Sequence, residues 1–340
     1  MRVSATLPNG VAALLFDSAR RRREAEGHMV GLLQGAGFSE VILPILDYLE
    51  PYDALLTTTS RNELYRFIDR DGEQLALRAD FTPMLARLLA PRVASLPMPL
   101  RIYYRGDVVR YEEERAGGQR EFYQVGAELL GIPGAQAEDE VLRLFLEMLM
   151  VGGEGEMQIV LGFAGALDRL LTQGAMEPSV LAVAVFRRER STVRQACPKL
   201  LPVLESGLPD RPEDLGPEAA HRLEGVLALR DELARRFPSI RLIVDLAEFA
   251  RHSREPHLST GSGERSYYDG IVFRAYASSA ARPIGGGGRY DSLFRRLGAE
   301  TPAVGFSLNL ERLLEARSGS GLSVHPAARL STQLLGEVRP

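Results

Sequence analysis

The order of apolar and polar residues along the chain predicts paired strands with helices beside them. Alternation marks two strands at 100–111 and 120–130, and the polar stretch between them predicts an antiparallel pair. Two short apolar runs around the turn residues 69–72 predict a hairpin with strands at 65–68 and 75–77. Further strands are predicted at 41–46, 157–161, 240–249, 267–276 and 303–308. Pro44 cannot donate a ladder hydrogen bond, which favours a sheet edge or an interface for its strand.

Helical spacing of apolar residues separates these strands. It predicts helices at 11–34, at 84–89 after Pro83, at 138–150 and from residue 309 onward. Because the strands occur in antiparallel groups beside helices, the expected fold class is α+β. The expected organisation is a core domain of residues 1–162 and 238–317, a helical insertion at 163–237, and a loose C-terminal tail at 318–340.

Composition and charge exclude several classes of protein. The 340 residues are 45% hydrophobic and 25% charged, which is ordinary for a globular chain. No apolar run approaches the roughly 18 residues that cross a bilayer, and the first residues lack a secretory signal, so we expect a cytoplasmic protein. The net charge of −4 gives no overall attraction to nucleic acid. The single cysteine, Cys197, excludes intramolecular disulfides and is expected to be buried.

Motifs of several common chemistries are missing from the sequence. It contains no G-x-x-x-x-G-K-[ST] phosphate loop, no G-x-S-x-G nucleophile turn and no dinucleotide fingerprint after a strand. The five histidines are scattered and do not form the i, i+4 pair of a metalloprotease helix. We therefore expect no cofactor, no metal site and no catalytic nucleophile.

Two short runs of one residue type have ordinary structural explanations. The four arginines at 20–23 could bind phosphate, but a solvated helix face is the simpler expectation. The glycine run at 285–288, taken by itself, is typical of a flexible loop or linker.

One face of the predicted strand 120–130 carries polar groups. Alternate residues of a strand share a face, so Gln124 and Glu128 lie on the same side, with Gly126 as a gap free of side chains between them. This arrangement would make a floor for a small polar ligand. The opposite side is expected to face the core with Tyr123, Val125, Ala127 and Leu129.

Neighbouring strands add groups of both charges. An amino-acid zwitterion needs both signs, and Asp80, Gln124 and Glu128 are candidates for holding its ammonium group. Arg110 is the candidate for its carboxylate, and Tyr268 for a polar side chain. The same residues also fit the solvated face of a sheet, and the alternation alone does not decide between these interpretations.

Ordered motifs across residues 10–315 resemble a known family. The string GFSEVILP at 37–44 resembles the first motif of class II aminoacyl-tRNA synthetases, with its dimer-interface proline. The segment 105–131 is similar to the second motif in its histidyl-tRNA synthetase form. GGGGRYDSL and PAVGFSLNLERLL, within 285–314, resemble the glycine loop and third motif of that family, and SYYDGIVFRAY at 266–276 resembles its histidine-binding strand. The resemblance implies a class II synthetase-like antiparallel sheet flanked by helices.

Two departures from the synthetase pattern change the expected function. The chain stops shortly after Arg312, without room for the anticodon-binding domain of the synthetase, so tRNA is an unlikely partner. The position of a synthetase arginine that acts on the histidine carboxylate is Gly263 here, and Arg251, Arg254 and Arg265 are the candidate replacements.

A synthetase-like chain with these departures resembles the regulatory subunits of ATP phosphoribosyltransferase. That family implies a non-catalytic subunit that binds a short-form catalytic partner in a hetero-octamer, for the first step of histidine biosynthesis. It also implies feedback inhibition by L-histidine and a homodimer through the first-motif region. The alternatives are a residual synthetase or ligase that forms histidyl-adenylate, and a scaffold with an emptied pocket.

The resemblance also implies roles for individual residues. Asp80 and Thr82 match residues that hold the ligand amine, Arg110, Gln124 and Glu128 match second-motif binders, and Glu128 is the expected partner of the ligand imidazole. The tyrosines that match the side-chain pocket are Tyr267, Tyr268 and Tyr290. Arg120 and Arg312 match arginines that contact ATP in the synthetase, so they are candidates for a vestigial nucleotide site.

Overall fold

A computed structural model of the chain describes residues 7–55, 62–111, 119–151, 155–252, 267–277 and 282–317. Its strands are β1 (Ser39–Glu40), β2 (Leu46–Tyr48), β3 (Arg66–Ile68), β4 (Gln74–Leu77), β5 (Leu100–Val109), β6 (Glu121–Leu130), β7 (Met157–Phe163), β8 (Ile240–Val244), β9 (Ile271–Ala277), β10 (Gly285–Arg289) and β11 (Ala303–Asn309).

Helices connect and flank these strands. The α-helices are α1 (Asp17–Gly35), α2 (Glu50–Leu55), α3 (Phe81–Leu89), α4 (Ala135–Leu149), α5 (Asp168–Thr172), α6 (Pro178–Phe186), α7 (Arg190–Ala196), α8 (Leu201–Ser206), α9 (Pro217–Arg236), α10 (Asp291–Arg296) and α11 (Leu310–Arg317). Short 3-10 helices lie at Ala90–Ser95, Pro198–Leu200, Pro212–Leu215 and Leu246–Phe249. In the described residues, no helix has the length and apolar character to cross a membrane.

The strands form two sheets. The large sheet has eight strands in the order β1-β5-β6-β11-β10-β9-β7-β8, and the small sheet has the order β2-β4-β3. All pairs of the large sheet are antiparallel except the outermost ones, β1 with β5 and β7 with β8. The predicted hairpin and the predicted antiparallel pair β5–β6 are therefore confirmed, as is the α+β class.

The main hydrophobic core lies between one face of the large sheet and helices α1 and α4. Val125 and Leu129 of β6 are fully buried there, as are Met29 of α1 and Phe145 of α4. The Phe145 ring meets Phe273 of β9 edge to face, with 4.9 Å between ring centroids. Full burial of one such side chain stabilises the fold by about 2 to 3 kcal/mol. The opposite face of the sheet carries smaller apolar clusters together with the buried polar residues Gln124 and Glu128.

Most predicted elements differ from the structure by up to three residues at one or both ends, as the helix predicted at 84–89 does by beginning at Phe81, and three differ by four residues or more. The first helix begins at Asp17 rather than at residue 11, because Phe16 has a positive φ of 47°, which a helix does not admit. The strand predicted at 240–249 ends at Val244, since Asp245 accepts a hydrogen bond from the backbone N–H of Ala247 and starts a 3-10 turn. The strand predicted at 267–276 begins at Ile271.

The predicted strand 41–46 is wrong for most of its length. Residues 41–45 are not in a strand, and β2 begins only at Leu46. The Arg78 guanidinium takes the hydrogen bonds that a ladder would use, since its Nη1 donates to the carbonyls of Leu43 (2.6 Å) and Pro44 (2.8 Å). Side-chain donors therefore replace a neighbouring strand at this sheet edge.

The glycine run is a strand, not a loop. Gly285 to Gly288 belong to β10, in the interior of the large sheet between β11 and β9. A Cβ atom at Gly287 would collide with the carbonyl oxygen of Gly305 on β11. The two strands lie so close together here that a side chain would not fit. A glycine run can therefore indicate close backbone packing as well as a flexible linker.

The arginine run is a solvated helix face, as predicted, at three of its four positions. Arg20, Arg21 and Arg23 are exposed, although Arg23 reaches the buried Glu26 at 2.6 Å, whereas the half-buried Arg22 pairs with Glu311 of α11 at 3.1 Å. The predicted burial of Cys197 is confirmed.

Candidate functional site

The polar face of the large sheet, defined as the face that carries Gln124 and Glu128, holds the candidate site. Both residues are buried, at 5% and 1% exposure, while their neighbours on β6 turn into the main core. The predicted alternation along this strand is therefore confirmed. The interpretation as a solvated surface is wrong for these two side chains, because both are covered.

Glu128 lies inside a cage of three hydroxyl groups. Thr82 Oγ1 donates to Glu128 Oε1 at 2.7 Å, and the Tyr104 hydroxyl donates to the same oxygen at 3.2 Å. The Tyr290 hydroxyl donates to Oε2 at 2.5 Å. These groups, called the hydroxyl cage below, come from α3, β5 and the end of β10. None of them carries a positive charge.

The lack of a cation in the cage has an electrostatic consequence. Burial, the largest cause, and the charge of Asp80 together raise the pKa of Glu128 to about 7, against the hydrogen bonds from Tyr290, Thr82 and Tyr104, which lower it. Burial and the charge of Glu128 also raise the pKa of Tyr290 well above its ordinary value, so this phenol stays a proton donor. The carboxyl group can therefore take or lose a proton near neutral pH and would favour a cationic or hydrogen-bond-donating ligand.

The three predicted tyrosines meet beside this carboxylate. The ring centroids of Tyr267 and Tyr268 are 4.5 Å apart, and the Tyr267 ring meets Tyr290 edge to face at 5.8 Å. The Tyr267 hydroxyl donates to the Tyr268 hydroxyl at 3.4 Å. Burial keeps the pKa of both groups above the ordinary tyrosine value. Together they form an aromatic wall suited to a flat polar side chain.

The sequence analysis did not predict that Tyr104 contacts Glu128, nor that several glycines make space for side chains of the site. A Cβ atom at Gly126 would meet the Tyr104 ring, one at Gly305 would collide with the Glu128 carboxylate, and one at Gly288 would meet Tyr268. Each glycine thus provides space for a side chain of the site. The signal for Tyr104 was available, because it lies directly opposite Gly126 in the antiparallel pair.

The gap free of side chains that the sequence predicts at Gly126 is therefore filled, and the open part of this face lies on the neighbouring strands β11 and β10. The Tyr104 ring covers Gly126 and stacks on Phe81, with ring centroids 4.3 Å apart. Ser307 of β11 and Gly286 of β10 lie next in register, on the same face, and both remain partly exposed. These two residues are called the open floor below.

Asp80 and Arg110 lie together rather than at opposite ends of a ligand. Arg110 Nη2 is 4.0 Å from Asp80 Oδ2, and Arg110 Nε donates to the carbonyl of Ala79 at 2.6 Å. Asp80 occupies the N-cap position of α3, and its side chain is 27% exposed. A ligand ammonium could therefore reach Asp80 by displacing only a loose ion pair.

The two arginines matched to nucleotide contacts occupy different places. The Arg312 and Arg110 guanidinium groups both lie near the Phe122 ring, at 5.5 and 5.2 Å from its centroid. Burial and the charges of Arg282 and Arg110 lower the pKa of Arg312 to about 10. Arg120 instead lies over Tyr111 at 5.2 Å.

The region of the missing arginine is only partly described. Gly263, Arg254 and Arg265 lie outside the described residues. Arg251 lies over the Phe186 ring of α6, at 5.3 Å from its centroid. Arg274 of β9 pairs with Glu248 at 2.8 Å, so the described arginines near this end of the polar face have partners of their own.

Among the described residues, no group of three or more His, Cys, Asp or Glu side chains could hold a metal ion. His252 is buried beside Tyr268, with ring centroids 5.9 Å apart. Burial and the charges of Arg274 and Arg251 lower its pKa to about 3, so it is neutral at physiological pH. The arrangement offers binding groups for a small polar ligand.

The chain is similar to known proteins over most of its length. Residues 10–313 match the family model described as histidyl-tRNA synthetase. A regulatory subunit of ATP phosphoribosyltransferase from Moorella thermoacetica is 33% identical over 327 residues, which cover 92% of this chain and 82% of that protein.

Two solved structures have the same fold. The first is described as an ATP phosphoribosyltransferase regulatory subunit/histidyl-tRNA synthetase from Bacillus halodurans, with a TM-score of 0.75 and 24% identity over 93% of this chain and 84% of that one. The second is the ATP phosphoribosyl transferase (HisG:HisZ) complex from Thermotoga maritima, with a TM-score of 0.62 and 21% identity over 85% of this chain and 97% of the matched one. Since the family model covers residues 10–313 and the Moorella thermoacetica relative is 33% identical, the chain belongs to the family of ATP phosphoribosyltransferase regulatory subunits, within the wider histidyl-tRNA synthetase family.

Proposed function

We propose that this chain is the regulatory subunit of an ATP phosphoribosyltransferase in histidine biosynthesis, and that L-histidine bound on the polar face inhibits the complex. The transferase chemistry takes place on a separate short-form catalytic chain, in the cytoplasm. The observation that carries the proposal is the buried Glu128 carboxylate, which has hydroxyl partners and an aromatic wall but no cation in its cage. A protonated or hydrogen-bond-donating imidazole supplies the missing partner.

The ligand groups follow from this placement. In this proposal Glu128 holds the imidazole, with Tyr267, Tyr268 and Tyr290 around it. The ligand amine is held by Asp80, Gln124 and Thr82, whose hydroxyl also donates to Glu128. Arg110 lies beside Asp80 and is the group for the ligand carboxylate. Inhibition requires that histidine binds more tightly to the less active arrangement of the complex, and the two affinities set the size of the effect.

The assembly proposed is a homodimer of this chain within a hetero-octamer. Its support is a group of exposed large apolar side chains in and beside the small sheet, which would be buried by a second copy. These side chains are Ile42, Ile45, Leu46, Tyr48, Phe67 and Ile68. In the same proposal, residues 1–162 and 238–317 form the core domain and residues 163–237 form an inserted helical unit.

The experiment combines this chain with a short-form ATP phosphoribosyltransferase and measures transferase activity with and without L-histidine. The complex should be more active than the catalytic chain alone, and histidine should inhibit it. Glu128→Gln should raise the histidine concentration for half inhibition by about tenfold or more, because it removes a charged hydrogen-bond partner. Glu121→Gln, the same change at the exposed start of β6, should leave it unchanged. Equal inhibition of both variants would reject the site.

A second function is favoured by one observation. Arg110 and Arg312 converge on Phe122, which is the arrangement expected of a site for a nucleotide phosphate. If the chain forms histidyl-adenylate, it will catalyse histidine-dependent exchange of pyrophosphate into ATP. Absence of exchange together with histidine binding favours the regulatory function, and absence of any histidine binding in calorimetry favours a scaffold with an emptied pocket.

A further inference from the structure

Two buried amide groups lie opposite each other at one end of the polar face. Gln124 of β6 and Asn309 of β11 are partners in the antiparallel register, so their side chains point to the same side. They are 5% and 4% exposed. Gln124 Oε1 and Asn309 Nδ2 are each buried, and neither finds a hydrogen-bond partner within the described protein. One acceptor and one donor are thus left unsatisfied side by side, at a cost that buried polar groups rarely bear without a function.

The orientation of the Asn309 amide is fixed by its other atom. Asn309 Oδ1 accepts a hydrogen bond from the backbone N–H of Arg312 at 2.9 Å, and so caps the first turn of α11. An exchange of the oxygen and nitrogen positions would place an N–H group against an N–H group. The Nδ2 donor is therefore held away from the helix, as the remaining free group of the side chain.

The open floor lies between these amides and the hydroxyl cage. Ser307 is two residues from Asn309 and two residues from Gly305, the position filled by the Glu128 carboxylate. Gln124 and Glu128 are four residues apart on β6, which is about 13 Å along a strand. A molecule of the size of an amino acid, lying over Ser307, can place one end at Glu128 and the other at the amide pair.

The electrostatics at the amide end favour a negative group near Asn309. Arg312 and Arg110 both lie by the Phe122 ring, two residues before Gln124 on the same face of β6. Asn309 also stands at the N-terminus of α11, which carries the partial positive charge of the helix dipole, and the acidic Glu311 in the first turn is paired with Arg22. Gln124 offers the complementary acceptor for a cationic group beside it.

We propose that Asn309 Nδ2 donates a hydrogen bond to the carboxylate of a free α-amino acid while Gln124 Oε1 accepts one from its ammonium group. Asn309 is then a specificity-determining residue that distinguishes a free amino acid from the corresponding amine. The inference rests on the proposed function, because it assigns the carboxylate end of the ligand whose side chain meets Glu128.

The test measures binding to the full-length chain by calorimetry with two probes, L-histidine and histamine, which keeps the imidazole and the amine but lacks the carboxylate. Asn309→Asp keeps the capping oxygen and replaces the donor Nδ2 with an acceptor. It should weaken L-histidine binding by about 10- to 100-fold and leave histamine binding unchanged or tighter. The matched control, Asn62→Asp, makes the same charge change at an exposed position and should leave both affinities unchanged.

The other outcomes separate this inference from the proposed function. An equal loss for both probes means that Asn309 acts only through the fold, and an unchanged L-histidine affinity rejects its contact with the carboxylate. A lower melting temperature of ligand-free Asn309→Asp, with both affinities intact, means that the two amides bond to each other and overturns the inference. If the wild-type chain binds neither probe, the proposed function fails together with it.

The affinities of the wild-type chain for L-histidine and histamine test the proposal without any substitution. This comparison remains available if Asn309→Asp does not fold. The wild-type chain should bind histamine about tenfold or more weakly than L-histidine, since histamine leaves Asn309 Nδ2 without an acceptor. Equal affinities for the two probes would contradict the assignment.

Discussion

Glu26 and Glu128 are two carboxylates of equally low solvent exposure on opposite sides of the same strand, and the protein lowers the pKa of the first and raises that of the second. Each is 1% exposed. Glu26 of α1 receives hydrogen bonds from the Arg23 and Arg105 guanidinium groups and from the Tyr123 hydroxyl of β6, at 2.6 to 2.7 Å. Glu128, on the other face of β6, accepts hydrogen bonds only from hydroxyl groups among the residues that the structure describes.

The difference appears in the acidity of the two groups. Burial by itself raises the pKa of Glu26, but the hydrogen bonds from Tyr123, Arg23 and Arg105 outweigh burial and hold its pKa below the ordinary value. Burial raises the pKa of Glu128 to about 7. The protein therefore supplies cations where the carboxylate holds helix α1 on the sheet, and withholds them where we propose that a ligand binds.

The largest expected effect comes from removing the compensated carboxylate. Glu26→Gln removes the charge that Arg23 and Arg105 share, although Arg105 keeps Glu40 as a partner, and should lower the free energy of unfolding by about 3 kcal/mol, since two charge-assisted hydrogen bonds are weakened. Glu128→Gln at pH 7.5 should change the free energy of unfolding by less than about 1 kcal/mol, because the substitution removes a carboxylate charge that burial makes unfavourable. Urea unfolding measures both, and Glu24→Gln on the exposed side of α1 is the control. Equal losses at positions 26 and 128 would contradict the comparison.

The next effect is the pH dependence of stability. The pKa of Glu128 rises from 4.5 in the unfolded chain to about 7 in the folded one, so the folded state binds more protons between these values. Stability from this group is complete below pH 4.5 and is lost as the pH rises through 7. The unfolding free energy of the wild type minus that of Glu128→Gln should fall by about 3 kcal/mol from pH 4.5 to 8.

The same measurement on the other carboxylate should give the opposite sign. Because the folded-state pKa of Glu26 is lowered, the difference between wild type and Glu26→Gln should shrink as the pH falls through the acid range. Subtracting a variant removes the contribution of His252, which is common to both chains. A flat difference curve for Glu128→Gln would show that its carboxyl group titrates normally.

The smallest expected effect compares one hydroxyl group at each site. Tyr290→Phe removes a donor from a carboxylate that has no cation, and should cost about 2 kcal/mol at pH 8. Tyr123→Phe removes a donor from a carboxylate that keeps both arginines, and should cost about 1 kcal/mol. Unfolding at pH 8 and pH 5 checks the mechanism, since the cost of Tyr290→Phe should shrink at pH 5, where Glu128 is protonated. A larger cost at Tyr123 would reverse the interpretation.

Much of the fold and part of the site could be predicted from the sequence. The β5–β6 pair and the division of β6 into a core face and a face with polar groups follow from the period of two, because a strand with one apolar face has only one favourable register. The element boundaries at Phe16 and Asp245 could not be predicted, since they depend on one backbone torsion and one side-chain hydrogen bond.

The remaining errors had non-local causes. The strand predicted at 41–46 failed because the Arg78 side chain donates to the carbonyl of Leu43, which lies 35 residues earlier in the chain. The glycine run was misread because its glycines are required by the close packing of β10 against β11. The hydroxyl cage joins α3, β5 and the end of β10, so no local pattern contains it. The pairing of Asp80 with Arg110 was likewise hidden, because strand alternation gives a face but not a distance.

The glycines at 126, 288 and 305 mean that damage to the site need not touch a residue that contacts a ligand. An alanine at any of them would displace Tyr104, Tyr268 or Glu128 from its place while leaving every binding side chain encoded in the gene. We therefore expect substitutions that abolish the response to the amino acid to occur at these glycines as well as at the binding residues. The site depends both on its binding side chains and on glycines elsewhere in the sheet that leave space for them.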